Sequence, residues 1–195
     1  VFDLQTLKNS RFYQNPMLHL ISTGLEISNL SLQSIEILKK CEIIYLEEYT
    51  SAGIKKQELE LLINKQVLSA NRSLVESDNL LQQAKNKNIA IVIQGDALSA
   101  TTHLAILSEA QKLKIPFSIT HGPSILTAIA ETGLSLYKFG AVGSIPFTKD
   151  SIESAYQLLK NNDSITLHTL FLLDLNPKDN QFLSIGEAVT HLIEK

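Results

Sequence analysis

Cysteine is almost missing from this chain: its 195 residues include one, Cys41. A single thiol excludes an internal disulfide and a cysteine-rich zinc site. An excess of positive charge is missing as well. Seventeen Lys and Arg stand against twenty Asp and Glu, a net charge of −3. Phosphate neutralisation supplies most nucleic-acid affinity, so no nucleic-acid partner is expected. No apolar run is long enough to span a bilayer, so no membrane partner is expected either. Val1 to Pro16 are mixed and polar, without the apolar centre of a signal peptide. Together these absences fit a soluble, cytoplasmic protein. Short catalytic signatures are missing too. There is no G-x-S-x-G elbow, no P-loop and no G-x-G-x-x-G fingerprint, so hydrolase, nucleotidase and dinucleotide-dehydrogenase readings lack their usual physical mark. No His-x-x-x-His or His–carboxylate spacing links His121 and His168, and no metal is expected.

What is present is a strand–helix alternation. Residues 1–16 carry no clear period and read as a leader or extension. From Met17 the pattern predicts strands over 18–21, 43–46, 67–69, 89–93 and 117–120. Between them it predicts helices over 31–41, 55–65, 73–87 and 101–113. Such alternation argues for an α/β fold, a parallel sheet with helices on both faces. The second half changes character. Pro123 suits a helix's first turn and Gly133 its stop. Strands are predicted over 141–145 and 167–173, a helix over 151–161, and a last helix to Glu194 opened by a Ser184/Glu187 capping box. A boundary near His121 divides an N-terminal α/β domain, 17–121, from a partial C-terminal α/β domain, 122–195.

Three polar, small-residue segments directly follow strands: Ser22-Thr23-Gly24, Gly95 to His103, and His121 to Ile125. In open parallel sheets ligands bind at the carboxyl ends of strands, so three such loops on one edge would line a shared crevice. Any one of them alone reads most simply as a solvated loop. Gly95 allows close backbone approach, and Asp96 at a strand end suits an amino group, a hydroxyl or a metal ion. Thr101 or Thr102 fits the helix N-cap better than Asp96, which puts His103 in the first helical turn as a satisfied structural histidine. Glu47 and Glu48 read as a solvated edge.

These segments carry a resemblance. Met17 to Leu25 resembles the opening strand and glycine turn of the diphthine synthases, a branch of the tetrapyrrole methylase superfamily. Ser34 to Cys41 and Tyr45 to Ser51 look like their next helix and strand, and Gly95 to His103, GDALSATTH, is similar to G-D-P-x-x-A-T-T-H. HGPSI from His121, TGLSLYKFG from Thr132, SIPF from Ser144, LHTLFLLDL from Leu167 and FLSIGEA from Phe182 follow in order. The resemblance implies a two-domain homodimeric methyltransferase that uses S-adenosyl-L-methionine, yields S-adenosyl-L-homocysteine and needs no metal. It implies that the enzyme methylates the amino group of a modified histidine on translation elongation factor 2. By position, the donor contacts would be Leu25, Asp96, Ser99, Ser124, Ile125 and Leu173. Asp96 would face the donor's polar end, Ser124 would offer polar groups near a helix start, and Leu25 and Leu173 would be apolar walls. No residue stands out as a catalytic base.

The chain also departs from the pattern. Ser22 replaces the first glycine of the opening turn and is expected to crowd it, and Ala97 replaces the proline after Gly-Asp and is expected to loosen that loop. The stretch between Phe147 and Leu167 is shorter than usual, and the family continues past the last helix, so the second domain is expected to be incomplete. Two other readings stay open: a methylase of the same fold acting on a tetrapyrrole or ribosomal RNA, and a non-catalytic remnant that dimerises or binds the factor.

Overall fold

The computed structural model describes residues 16–51 and 53–195, so the expected leader over 1–16 lies, apart from Pro16, outside the described residues. The chain forms two compact units, the first ending at Ile125 and the second running from Leu126 to Lys195.

The first unit is built on five parallel strands: β1 (Leu18–Ser22), β2 (Ile43–Glu47), β3 (Leu68–Ala70), β4 (Ile89–Ile93) and β5 (Phe117–Thr120). Their order across the sheet is β3-β2-β4-β1-β5. β1 and β4, the central strands, are buried along their whole length; β4 is an uninterrupted apolar run, whereas β1 also buries His19 and Ser22. The helices are α1 (Leu32–Lys40), α2 (Lys56–Ile63), α3 (Arg72–Val75), α4 (Asp78–Ala84) and α5 (Leu104–Lys112). The strand period of two sends alternate side chains to opposite faces. Ile21, Ile44, Leu46, Ala90 and Val92 pack against Ile37 and Leu38 of α1 and Leu59 and Ile63 of α2. Leu18, Leu20, Ile89, Ile91 and Ile93 pack with Leu80, Leu81 and Ala84 of α4 and Ile106, Leu107 and Ala110 of α5. Each large apolar side chain so buried contributes about 1.5–3 kcal/mol.

The expected helix over 73–87 is two helices instead. Asn71 caps α3 by accepting the Leu74 N–H, and the Ser77 hydroxyl donates to the Leu74 carbonyl, ending that turn before α4 starts. The helix expected from Thr101 begins at Leu104. The Thr101 hydroxyl donates to the Ala97 carbonyl at 2.9 Å and accepts the His103 N–H at 3.2 Å, which holds these residues in turns. His103 is therefore the N-cap residue, in αR geometry, rather than part of the first helical turn.

α6 (Ile125–Ala128) starts at the last residue of the first unit and continues into the second, where a 3-10 turn follows that Gly133 ends in left-handed geometry, as expected of that glycine. β6 (Gly143–Ile145), α7 (Glu153–Ser164) and β7 (Phe171–Leu173) form a parallel strand–helix–strand unit, with Gly143 opposite Phe171 and Ile145 opposite Leu173. Both strands are shorter than the sequence suggests, and His168 lies outside β7, joined to Phe139 by an isolated bridge. A two-residue hairpin, β8 (Leu175–Asn176) with β9 (Gln181–Phe182), was not legible. α8 (Ile185–Ile193) starts with the expected box: the Ser184 hydroxyl accepts the Glu187 N–H and the Glu187 carboxylate accepts the Ser184 N–H. Ile145, Ile152, Ala155, Leu183 and Ala188 make this unit's own core.

Candidate functional site

Register sets the site. Ser22 lies opposite Ile93 and Ile21 opposite Thr120, so β1, β4 and β5 end at one level. From β1 the chain crosses towards β2, whereas from β4 it crosses to β5 on the other side of β1. Strand order reverses there, the place where open α/β sheets bind ligands. The three segments singled out in the sequence leave the sheet at this edge and meet.

They meet through the main chain. The Gly24 N–H donates to the Gly95 carbonyl at 3.0 Å and the Gly95 N–H donates to the Gly24 carbonyl at 2.8 Å. Both glycines have positive φ, +77° each. Gly122 completes the convergence: a Cβ there would lie 2.7 Å from Gly24 N and 3.1 Å from Gly95 O, so only glycine lets the third loop close. A Cβ at Gly95 would meet nothing within 4 Å, which leaves open space beside the loop.

Asp96 ties two of these loops. Its Oδ1 accepts the Leu98 N–H at 2.9 Å and the Ser99 hydroxyl at 3.3 Å. Its Oδ2 pairs with His121 Nδ1 at 2.7 Å and accepts the Gly122 N–H at 3.3 Å. Burial alone would push the carboxyl's pKa up. Hydrogen bonds from Leu98, His121 and Gly122, with the His121 charge, outweigh it and hold the pKa below the ordinary value. Asp96 is thus ionised and largely sequestered, while the His121 ring is exposed at the rim.

Ser22 does not crowd its turn. It is buried at the end of β1, and its Oγ accepts the Ala97 N–H at 2.9 Å. Of the other expected contacts, Ser99 lies in the Asp96 turn and Ser124 is buried directly before α6. Leu25 and Ile125 expose apolar surface in the first unit, and Leu173 is partly buried on β7 of the second.

Two residues were missed or misread. Glu47 is buried, not a solvated edge: its carboxylate accepts the Tyr49 N–H at 2.5 Å, the Thr50 N–H at 2.7 Å and the Thr50 hydroxyl, and lies 3.9 Å from His103 Nε2. Glu48 beside it is exposed. His103 is buried with it, and burial lowers its pKa against the pull of Glu47 and the Ala97 carbonyl. Gln94, one residue before Gly95, joins the ends of three strands and had drawn no notice. Among the described residues no three His, Cys, Asp or Glu come together to hold a metal, and no helix is long and apolar enough to cross a membrane.

Comparison with known proteins agrees on one family. Residues 17–195 match the family model of the tetrapyrrole (corrin/porphyrin) methylases. The diphthine methyl ester synthase of Schizosaccharomyces pombe is 41% identical over 178 residues, covering 88% of this chain and 63% of its own length. That of Homo sapiens is 34% identical over 199 residues, covering 91% of this chain and 70% of its own. A crystal structure of a diphthine synthase superposes with a TM-score of 0.85 at 34% identity, over 91% of this chain and 71% of the other. The chain thus spans under two thirds of the length of the S. pombe relative.

Proposed function

The chain belongs to the tetrapyrrole methylases, with the diphthine and diphthine methyl ester synthases as its relatives, and on that premise we propose that it is an S-adenosylmethionine-dependent methyltransferase of the diphthamide pathway. The acceptor in this reading is the modified histidine of translation elongation factor 2. Its amino group is the acceptor already expected from the resemblance. The names of the fungal and human relatives add a carboxylate oxygen, which would become a methyl ester. The protein works as a homodimer in the cytoplasm.

One observation carries the reading: the β1, β4 and β5 turns converge where strand order reverses, with the Gly24–Gly95 pair and Gly122 at their junction. The residues present fit a sulfonium nucleoside. There is open space at Gly95, an ionised carboxylate at Asp96, and apolar surface at Leu25 and Ile125. When bound, the donor supplies an electrophilic methyl group and leaves as S-adenosylhomocysteine. Asp96 has four internal partners, so its role is to fix the Leu98–Ser99 and His121–Gly122 main chain and to set a negative potential there. Ser99 and Ser124 orient polar groups, while Leu25 and Ile125 exclude water. Holding two reactants in near-attack geometry lowers a barrier by up to roughly 7–11 kcal/mol, which suits a site with no assigned base. An amine acceptor must arrive deprotonated, and desolvation favours that form.

The test is transfer of labelled methyl from S-adenosylmethionine to elongation factor 2 carrying the unmethylated histidine precursor, alongside calorimetric titration with S-adenosylhomocysteine. Donor binding with label on the factor is the expected result. A folded chain that takes up no S-adenosylhomocysteine sinks the proposal.

A further inference from the structure

We infer that Gln94 is a positioning residue for the donor site, an amide strap that holds the turns after β1 and β2 against the end of β4. Its Oε1 accepts the Gly53 N–H at 2.9 Å and the Ser51 hydroxyl. Its Nε2 donates to the Leu25 carbonyl at 3.0 Å. Gly53 N–H can only donate and Leu25 C=O can only accept, so the orientation of the amide is fixed by its partners. The fit is close: a Cβ at Gly53 would lie 2.5 Å from the Gln94 Nε2, so a larger residue there would displace the amide. Leu25 has one further tie on its other side, because the Asn29 Oδ1 accepts its N–H at 3.2 Å, as it does the neighbouring Glu26 N–H at 3.3 Å. Leu25 is thus gripped by its carbonyl and its N–H, while its exposed side chain faces out as the apolar surface assigned to the donor. Gln94 acts through Leu25 and through the neighbouring residue Gly95.

The inference rests on the proposed donor site, and the chemistry of the amide supplies a way to test it separately. Gln94→Glu keeps two acceptors for Ser51 and Gly53 but turns a carboxylate oxygen towards the Leu25 carbonyl, breaking that tie alone. Gln94→Leu breaks all three. Amide hydrogen exchange on the 195-residue chain should show Leu25 and Glu26 exchanging about tenfold faster in both variants, with Gly53 accelerated only in Gln94→Leu. S-adenosylhomocysteine affinity should fall about five- to tenfold in both, although Gln94→Glu keeps the higher melting temperature. Affinity that tracks melting temperature across the two variants, or unchanged exchange at Leu25 and Glu26 in Gln94→Glu, overturns the inference. A wild-type chain that takes no S-adenosylhomocysteine removes the proposed function and the donor role of Gln94 together. In that case the exchange pattern still decides whether the strap exists.

Discussion

The Ser22 hydroxyl accepts the Ala97 N–H at 2.9 Å, which joins the two positions where the strand-end turns were expected to depart from the glycine and proline of the diphthine synthase pattern. Each departure accounts for the other. A proline at 97 would have no N–H to give, and a glycine at 22 would leave a buried N–H without its acceptor. One hydrogen bond thus ties Ser22, where crowding was expected, to Ala97, where a looser loop was expected.

The two sites should therefore couple. Ser22→Gly and Ala97→Pro, made singly, are each expected to cost about 1–3 kcal/mol, since each leaves one buried polar group unpaired. The double variant should cost less than their sum by about 1 kcal/mol or more. A double-mutant cycle from urea denaturation measures this, and additivity would separate the pair.

Gly122→Ala places a Cβ 2.7 Å from the Gly24 nitrogen, which belongs to backbone and cannot swing away. A loss of roughly 1–3 kcal/mol in stability is expected, as for other overpacked sites. S-adenosylhomocysteine affinity should fall more than tenfold, because all three turns must shift. Calorimetry showing wild-type affinity would remove Gly122 from the junction.

Asp96→Ala removes the acceptor of four hydrogen bonds and should weaken donor binding, read as a raised Kd by titration. The wild-type pair carries a pH signature as well. The folded pKa of Asp96 lies below its ordinary value, so its stabilisation is fully present above about pH 4 and is lost as pH falls through the folded pKa. Denaturation curves below pH 4 should be steeper for wild type than for Asp96→Ala, and equal slopes would refute the assignment.

His19 gives the chain a second, milder acid sensitivity. It is buried in β1 with Nδ1 2.7 Å from the Ser118 hydroxyl, and burial lowers its pKa to about 4 against the raising influence of the Asn88 side chain. The unfolded chain binds a proton near pH 6.5 that the folded chain refuses until about pH 4. Stability thus falls as pH drops through that window, by about 3 kcal/mol at most for this group. His19→Gln should flatten stability between pH 6.5 and 4 relative to wild type; an unchanged profile would place the sensitivity elsewhere.

Elements whose signal is local were legible in the sequence. Ile89 to Ile93 reads as a buried strand because nothing polar interrupts it, and β4 has those bounds. Ser184 and Glu187 lie three residues apart, and the capping box forms as written. The three turns were legible as polar breaks after apolar runs. What escaped notice depends on partners far along the chain. Glu47 looks like one of two solvated acids until Thr50 folds back over it and His103 arrives from the start of α5. Gln94 is an unremarkable polar residue until Leu25 and Gly53 are brought to either side of it. The β8–β9 hairpin depends on Asn180 adopting positive φ, +51°, between strands too short to show a period.

The clasp between Gly24 and Gly95 is written in peptide groups alone. Peptide groups are common to every sequence, so mutation can rewrite the outward-facing side chains at Leu25 and Leu98 without untying the knot beneath them. Such a frame can be inherited unchanged while the recognition surface it presents drifts from one lineage to the next.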